Sequence, residues 1–142
     1  MNEKPKIEKA AVAITFDNDR FLILKKKGNW EGWQFVQGKI DEGETEEDAV
    51  LRELKEETGL DGEIVRKLDL KADYWFQFEG RQIHKFLTFF LVKADKAKEV
   101  KIGVEHSDWK WTDYETTLKE IKFNKDKFEQ AVKELKKINN EY

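Results

Sequence analysis

The sequence predicts an α/β sandwich, a mixed central sheet packed between helices. Three observations lead there. Several apolar runs of strand length lie on both sides of one Glu-rich stretch free of Pro and Gly. That stretch, Glu46 to Thr58, has strong helix formers throughout and apolar residues on one side. A last segment, Asp126 to Asn139, carries Phe128, Ala131, Val132, Leu135 and Ile138 at helical spacing. Strands, a central helix, strands again and a closing helix give a layered α/β architecture.

The elements follow in order. Ala10 to Phe16 (AAVAITF) reads as a buried strand, and Asn18-Asp19 as a turn into Arg20 to Lys25 (RFLILK), so the two form a hairpin. Lys26 to Glu31 is a polar connection, and Trp33 to Val36 a short strand leading to the central helix. Thr45 or Glu44 can start that helix, and Gly59 can end it in the left-handed conformation. Glu63 to Leu70 and Ala72 to Phe78 have strand character, Glu79-Gly80 is a turn, and Gln82 to Lys93 is a long strand. These strands are expected to form an antiparallel core within the mixed sheet. Ser107 to Trp111 is a further short strand, and Tyr114 to Glu120 a short helix. Phe86, Phe90, Phe128 and Trp111 are expected in the core.

Composition narrows the function. The 142 residues fit one domain, residues 1–142, with 39% hydrophobic and 13% aromatic residues to fill its core. The formal net charge of -3 supplies no bulk basic field for nucleic acid. Any affinity for phosphates therefore has to come from local Lys and Arg clusters or from metal. No Cys is present, which excludes disulfides, thiolate metal sites and cysteine nucleophiles. No run approaches the roughly 20 apolar residues of a membrane span, and the polar start lacks a signal peptide's apolar run. A soluble cytoplasmic protein is the expectation. No apolar stripe in the sequence decides between monomer and homodimer.

The chemistry concentrates between Gly38 and Leu60, GKIDEGETEEDAVLRELKEETGL. On a helix, Glu53, Glu56 and Glu57 fall within an arc of about 100°. Val50, Leu51, Leu54 and Thr58 lie mainly on another side. Carboxylates so close repel one another, and the more so when partly buried. A hard divalent cation removes that repulsion, and oxygen ligands suit Mg²⁺ or Mn²⁺. Arg52, eight residues after Glu44 and four before Glu56, can hold a carboxylate in its planar fork. Glu-rich helices in a chain with 40% charged residues are usually solvated faces. Here, however, Gly38, Glu44, Arg52, Glu53, Leu54, Glu56, Glu57, Gly59 and Leu60 together fill the pattern G-x5-E-x7-R-E-U-x-E-E-x-G-U, with U aliphatic.

That complete pattern resembles the Nudix box, the metal-binding and catalytic element of hydrolases that cleave diphosphate linkages. The order of elements also resembles the Nudix fold, an α/β/α sandwich with a central mixed sheet. The resemblance implies hydrolysis at phosphorus by a metal-activated water. It implies Glu53 and Glu57 as core ligands of Mg²⁺ (or Mn²⁺), Glu56 as a ligand when further ions bind, and the carbonyl of Gly38 as another ligand. Arg52 and Glu44 are expected to orient the cluster.

Outside the box, Glu105-His106 followed by Trp109-Lys110-Trp111 is similar to an E-H-x-x-(Trp/Tyr)-(Lys/Arg)-Trp segment of Nudix enzymes acting on dinucleoside polyphosphates and on some deoxynucleoside triphosphates. It makes Glu105 a candidate general base or additional metal ligand, with a surface loop glutamate as the plain alternative. His106 reads as structural, orienting the loop. Trp33-Gln34-Phe35-Val36-Gln37-Gly38 resembles the W-Q-x-P-Q-G run of dinucleoside polyphosphate and RNA 5′-pyrophosphohydrolase branches, with Val36 departing toward the dihydroneopterin triphosphate and dATP branch. Animal-type diadenosine tetraphosphate enzymes carry Lys where Gln37 stands, and Lys39 is the candidate substitute. Tyr74-Trp75-Phe76 with His84-Lys85 and Phe89-Phe90-Leu91 resembles bacterial and archaeal diadenosine polyphosphate hydrolases, which implies Lys85 as a phosphate contact and Tyr74 as a base-stacking ring. Trp33 and Trp75 are further candidates, with core packing as their alternative. Lys25-Lys26-Lys27 is a solvated run with one phosphate contact in reach of the box. The leading substrate is diadenosine tetraphosphate, cleaved asymmetrically to ATP and AMP. A dATP or dihydroneopterin triphosphate pyrophosphohydrolase is the first alternative, and an RNA 5′-pyrophosphohydrolase the next. A noncatalytic nucleotide sensor is disfavoured because every box glutamate is present.

Overall fold

The computed structural model describes residues 4–28 and 30–140. Its elements are β1 (Lys6–Asp17), β2 (Arg20–Lys26), β3 (Gly32–Gln34), β4 (Val36–Lys39), α1 (Glu46–Thr58), β5 (Glu63–Phe78), β6 (Arg81–Lys93), β7 (His106–Thr112), α2 (Tyr114–Glu120) and α3 (Lys125–Asn140). The strands join one seven-stranded sheet with the path β3-β2-β1-β6-β5, while β4 pairs with β1 and β7 with β2. The fold is α/β, with a mixed sheet and helices against both faces.

β1 organises the sheet. It runs parallel to β6 from Lys6↔Ile83 to Phe16↔Lys93, which makes the sheet mixed rather than an antiparallel core. Its alternating residues go to opposite faces. Ala10, Val12, Ile14 and Phe16 join a core closed by Phe128, Ala131, Val132, Leu135 and Ile138 of α3. Ala11 and Ala13 join a second core closed by Val50 and Leu54 of α1. Burial on both sides explains why β1 reads as a continuous apolar run.

The short strand expected over Trp33 to Val36 is two strands. β3 pairs with β2 and β4 with β1, and Phe35 between them is buried against Phe128. Anchoring that ring in the α3-side core turns the chain from one pairing to the other. The two strands expected over Glu63 to Phe78 are one, whose register shifts at Ile64/Arg66 and Lys67/Lys71 mimic a break. Phe86 is not a core residue. It is 39% exposed and lines a groove with Lys9, Ile40 and Glu46 at the start of α1. Trp111 is half-buried against the α1-side core. Tyr74, Trp75 and Phe78 on β5 are exposed, Tyr74 and Phe78 on one face of the strand and Trp75 on the other. Among the described residues no helix is long and apolar enough to cross a membrane.

Helix α1 starts and stops where its sequence dictates. The Thr45 side chain accepts a hydrogen bond from the Asp48 backbone N–H at 3.0 Å, with Glu46, Glu47 and Asp48 in the first turn. Gly59 takes φ 78° and its N–H donates to the Lys55 carbonyl at 2.8 Å, closing the helix.

Candidate active site

The site is built where α1 crosses β4, beside the loop that leads into β7. Arg52 is its hub. Its Nε donates to Glu44 Oε2 at 2.6 Å and its Nη2 to Glu44 Oε1 at 2.9 Å, a bidentate pair. Nη1 donates to Glu53 Oε1 at 2.8 Å and to Glu56 Oε2 at 3.1 Å. Nη2 also donates to the Lys39 carbonyl at 2.9 Å and lies 3.4 Å from Asp41 Oδ2. One guanidinium thus ties the helix to the loop that precedes it and to β4. Glu44 further accepts the Asp41 backbone N–H at 3.0 Å. These bonds, Arg52 first, hold the Glu44 carboxyl at about 2. The same partners raise the Arg52 pKa further.

Gly38 faces α1. A Cβ on this residue would stand 1.9 Å from Glu53 Cδ and 2.2 Å from Glu53 Oε2. The absent side chain therefore makes room for the Glu53 carboxyl against the backbone of β4. The pairing Ala11↔Gly38 puts that opening on the α1 side of the sheet.

Glu57 is the buried member, with a side chain 11% exposed. Burial pushes its carboxyl up to about 9, reinforced by hydrogen bonding to Glu53 and by the charges of Glu53, Glu105 and Glu56. Its Oε2 has no hydrogen-bond partner. His106, also buried, approaches with Nε2 at 3.7 Å from Glu57 Oε1. Burial, with Lys26 nearby, lowers the His106 pKa. Both groups are thus neutral near pH 7, and the approach is a polar contact rather than an ion pair. Glu105 is exposed, and its charge acts on both Glu57 and His106. Its carbonyl accepts the Lys27 N–H at 3.1 Å, which fastens the loop to the end of β2.

Gly38, Glu44, Arg52, Glu53, Glu56, Glu57 and Glu105 are therefore brought together. Lys85 is partly buried beside Glu8 and within the fields of Lys39 and Glu53; burial is the main cause of its lowered pKa. Lys39 Nζ is 4.0 Å from Glu8 Oε2. Tyr74 is the direct cross-strand partner of Lys85, so the two share a face. Gln37, two residues before Lys39 on β4, points to the same side of the sheet. Trp33 lies apart, on the edge strand β3, where it packs on the α3-side core with Lys110 Nζ 4.3 Å from its ring. Val36 is fully buried in the α1-side core. Sequence reasoning missed Glu8, which sits between Lys39 and Lys85; alternation along β1 was the only signal. It also missed that the carbonyl of Lys39 is bound by Arg52.

A hard divalent cation fits this donor set. The carboxylates offer oxygen ligands, Glu57 Oε2 is buried and unpartnered, and the mutual repulsion that keeps Glu57 protonated is relieved by positive charge. Glu53 and Glu56 accept from Arg52, and Glu53 hydrogen-bonds to Glu57. Among the described residues no group of three or more His, Cys, Asp or Glu is arranged around a common point.

Comparison with known proteins agrees with this geometry. A NUDIX domain profile matches residues 6–132. The chain is 32% identical over 145 residues to an RNA pyrophosphohydrolase of Ruthia magnifica subsp. Calyptogena magnifica, covering 89% of this chain and 80% of that protein. It is 29% identical over 100 residues to an asymmetrical bis(5′-nucleosyl)-tetraphosphatase of Caenorhabditis elegans, covering 70% and 71%. Its fold superposes on a C. elegans Ap4A hydrolase with TM-score 0.70 at 23% identity, covering 95% and 99%. Other similar proteins are named for MutT and for dihydroneopterin triphosphate pyrophosphohydrolase, and no single subfamily dominates. The chain belongs to the Nudix hydrolase family, an enzyme family whose members work through divalent metal.

Proposed function

We propose that this Nudix hydrolase cleaves diadenosine tetraphosphate asymmetrically, to ATP and AMP, with Mg²⁺ (or Mn²⁺). The observation that carries the reading is the carboxylate cluster of α1 with Lys85 within the field of Glu53 and Tyr74 directly across from Lys85 on the β5–β6 pair. Glu53, Glu56 and Glu57, with the Gly38 carbonyl, are the residues that hold the metal. When bound, the ion neutralises phosphate oxygens and lowers the pKa of water. Arg52 and Glu44 fix the orientation of the cluster, so the carboxylates need little rearrangement at the moment of reaction. Glu105, an exposed loop carboxylate whose charge reaches Glu57, is the base that takes a proton from the attacking water. Lys85 and Lys39 meet the phosphate chain, and Gln37 is a further polar contact. Tyr74 stacks on an adenine, an interaction worth about 1–3 kcal/mol and tolerant of base identity.

A second reading, removal of pyrophosphate from triphosphorylated RNA ends, is favoured by the similarity to RNA pyrophosphohydrolases across most of the chain. Its chemistry is the same phosphoanhydride cleavage. The net charge of -3 weighs against a long RNA track. The dATP and dihydroneopterin triphosphate reading rests on Val36, whose side chain is fully buried, and on the segment from Glu105 to Trp111.

The test is a Mg²⁺-dependent product assay on diadenosine tetraphosphate, dATP, dihydroneopterin triphosphate, ADP-ribose and a 5′-triphosphorylated RNA. ATP plus AMP from the dinucleotide as the preferred reaction supports the proposal. Preferential pyrophosphate release from RNA, or from a mononucleotide or pterin, replaces it with the corresponding alternative.

A further inference from the structure

The β5 strand ends the sheet, and its outer edge pairs with nothing among the described residues. Such edges are usually blunted by charge, proline or bulges. The half from Lys71 to Phe78 has a continuous register with β6, and Lys71 and Asp73 are its two charged residues. Tyr74, Trp75 and Phe78 are 42%, 52% and 56% exposed. We propose that this edge binds the same edge of a second copy of the chain, antiparallel and centred on Trp75.

The backbone limits where such a pair can form. Phe78 and Arg81 flank a two-residue turn with Glu79 at φ 53° and Gly80 at φ 77°, the type I′ geometry of a tight hairpin. Residues flanking that turn exchange hydrogen bonds across the hairpin, and the pattern alternates along the strand. Tyr74, Phe76 and Phe78 thus direct their backbone N–H and C=O to β6. Asp73, Trp75 and Gln77 direct theirs to the open edge. The edges bond when a two-fold axis falls on a residue position rather than between two, because outward-bonding residues then face one another.

Charge selects among the positions from Asp73 to Gln77. An axis at Tyr74 brings Asp69 to the partner's Glu79, and an axis at Phe76 brings Asp73 to the partner's Glu79 and Lys71 to the partner's Arg81, like charges in each case. An axis at Asp73 sets Asp73 against the partner's Asp73. An axis at Gln77 sets Trp75 against the partner's Glu79 and leaves Lys71 with no acidic residue opposite it. An axis at Trp75 sets Lys71 against the partner's Glu79, and by symmetry Glu79 against the partner's Lys71. It also stacks Trp75 beside the partner's Trp75. On the other face Tyr74 meets the partner's Phe76. Among the described residues neither Lys71 nor Glu79 has an ion-pair partner. Trp75 already lies flat on His84, ring centroids 4.0 Å apart, so its exposed face is held ready rather than mobile. On the face that carries Lys85, the second copy extends the wall begun by Tyr74.

The test is sedimentation velocity over a dilution series up to about 100 µM, on wild type, Lys71→Glu, and the double variant Lys71→Glu/Glu79→Lys. Wild type is expected to show a concentration-dependent dimer. Lys71→Glu places like charges across the axis twice and is expected to weaken the dimer roughly tenfold. The double variant restores opposite charges and is expected to return within about threefold of wild type. Thermal unfolding at a concentration below the dimer range, unchanged among the three, separates lost pairing from lost folding. A wild type monomeric throughout overturns the proposal. So does a dimer indifferent to Lys71→Glu, or one that the double variant fails to restore.

Discussion

Replacing Glu57 by Gln should stabilise the metal-free protein above pH 5 while destroying its metal site. Glu57 is nearly buried, and its carboxyl is pushed from 4.5 up to about 9 by burial and by its acidic neighbours. Below pH 4.5 the folded and unfolded chains both hold the proton, and Glu57 costs nothing. As pH rises, the unfolded chain releases the proton first, so stability falls until the folded carboxyl also ionises near pH 9. The slope is about 1.4 kcal/mol per pH unit. Between pH 4.5 and 7 the loss is about 3 kcal/mol, or on the order of 10 °C in Tm for a chain of this size. Glu57→Gln keeps the shape and stays neutral, so it lacks this term. Calorimetric unfolding of both proteins in EDTA, from about pH 4.5 to 8, measures the difference directly. The Tm of Glu57→Gln is expected to climb relative to wild type across that range. Parallel curves, or a variant that is less stable at pH 8, would refute the reasoning that Glu57 is a buried, charge-crowded acid.

Other residues of the cluster give sharper structural tests. Gly38→Ala drives a Cβ into Glu53, so it should cost about 1–3 kcal/mol in unfolding and lower Mg²⁺-dependent turnover at least roughly 100-fold; near-normal turnover would remove Glu53 from the site. Arg52→Lys keeps the charge but not the fork, so the contacts to Glu44, Glu53, Glu56 and the Lys39 carbonyl cannot be made together. Its kcat should fall by roughly 100-fold, and NMR titration should show the Glu44 carboxyl returning from about 2 toward its ordinary range; full activity would reduce Arg52 to a surface cation. Glu105→Gln should lower kcat by about 10²–10⁴ with unchanged folding if Glu105 is the base, and an effect below about tenfold would make it a loop residue.

Much of this protein was legible where structure is local. The ends of α1 follow from Thr45 and Gly59, and the buried face of α3 from five residues at helical spacing. The box glutamates and Arg52 meet because helical periodicity and one short loop suffice to bring them together. What needed coordinates was non-local. The parallel pairing of β1 with β6 joins segments far apart in the chain, and apolar runs do not encode strand direction. Phe86 sits in an apolar run, yet it faces an open groove at the start of α1, with the His84 ring against it and 39% of its surface exposed. His106 gave no sign that it would be buried against Glu57, because that depends on how the loop before β7 folds over the end of β2. Gly38 was read as a place for an ion to approach the backbone, whereas its sharpest constraint is the Glu53 side chain lying against it.

The central claim is that the carboxylates of α1 form a divalent-metal site, and titration calorimetry of Mn²⁺ into wild type and Glu57→Gln near pH 7.5, in two buffers of different ionisation enthalpy, tests it most directly. The account predicts that Mn²⁺ displaces the Glu57 proton, so wild-type binding releases up to about one proton per ion. Glu57→Gln should bind at least roughly tenfold more weakly, with no such release. Equal affinity and equal proton release in the two proteins would contradict it.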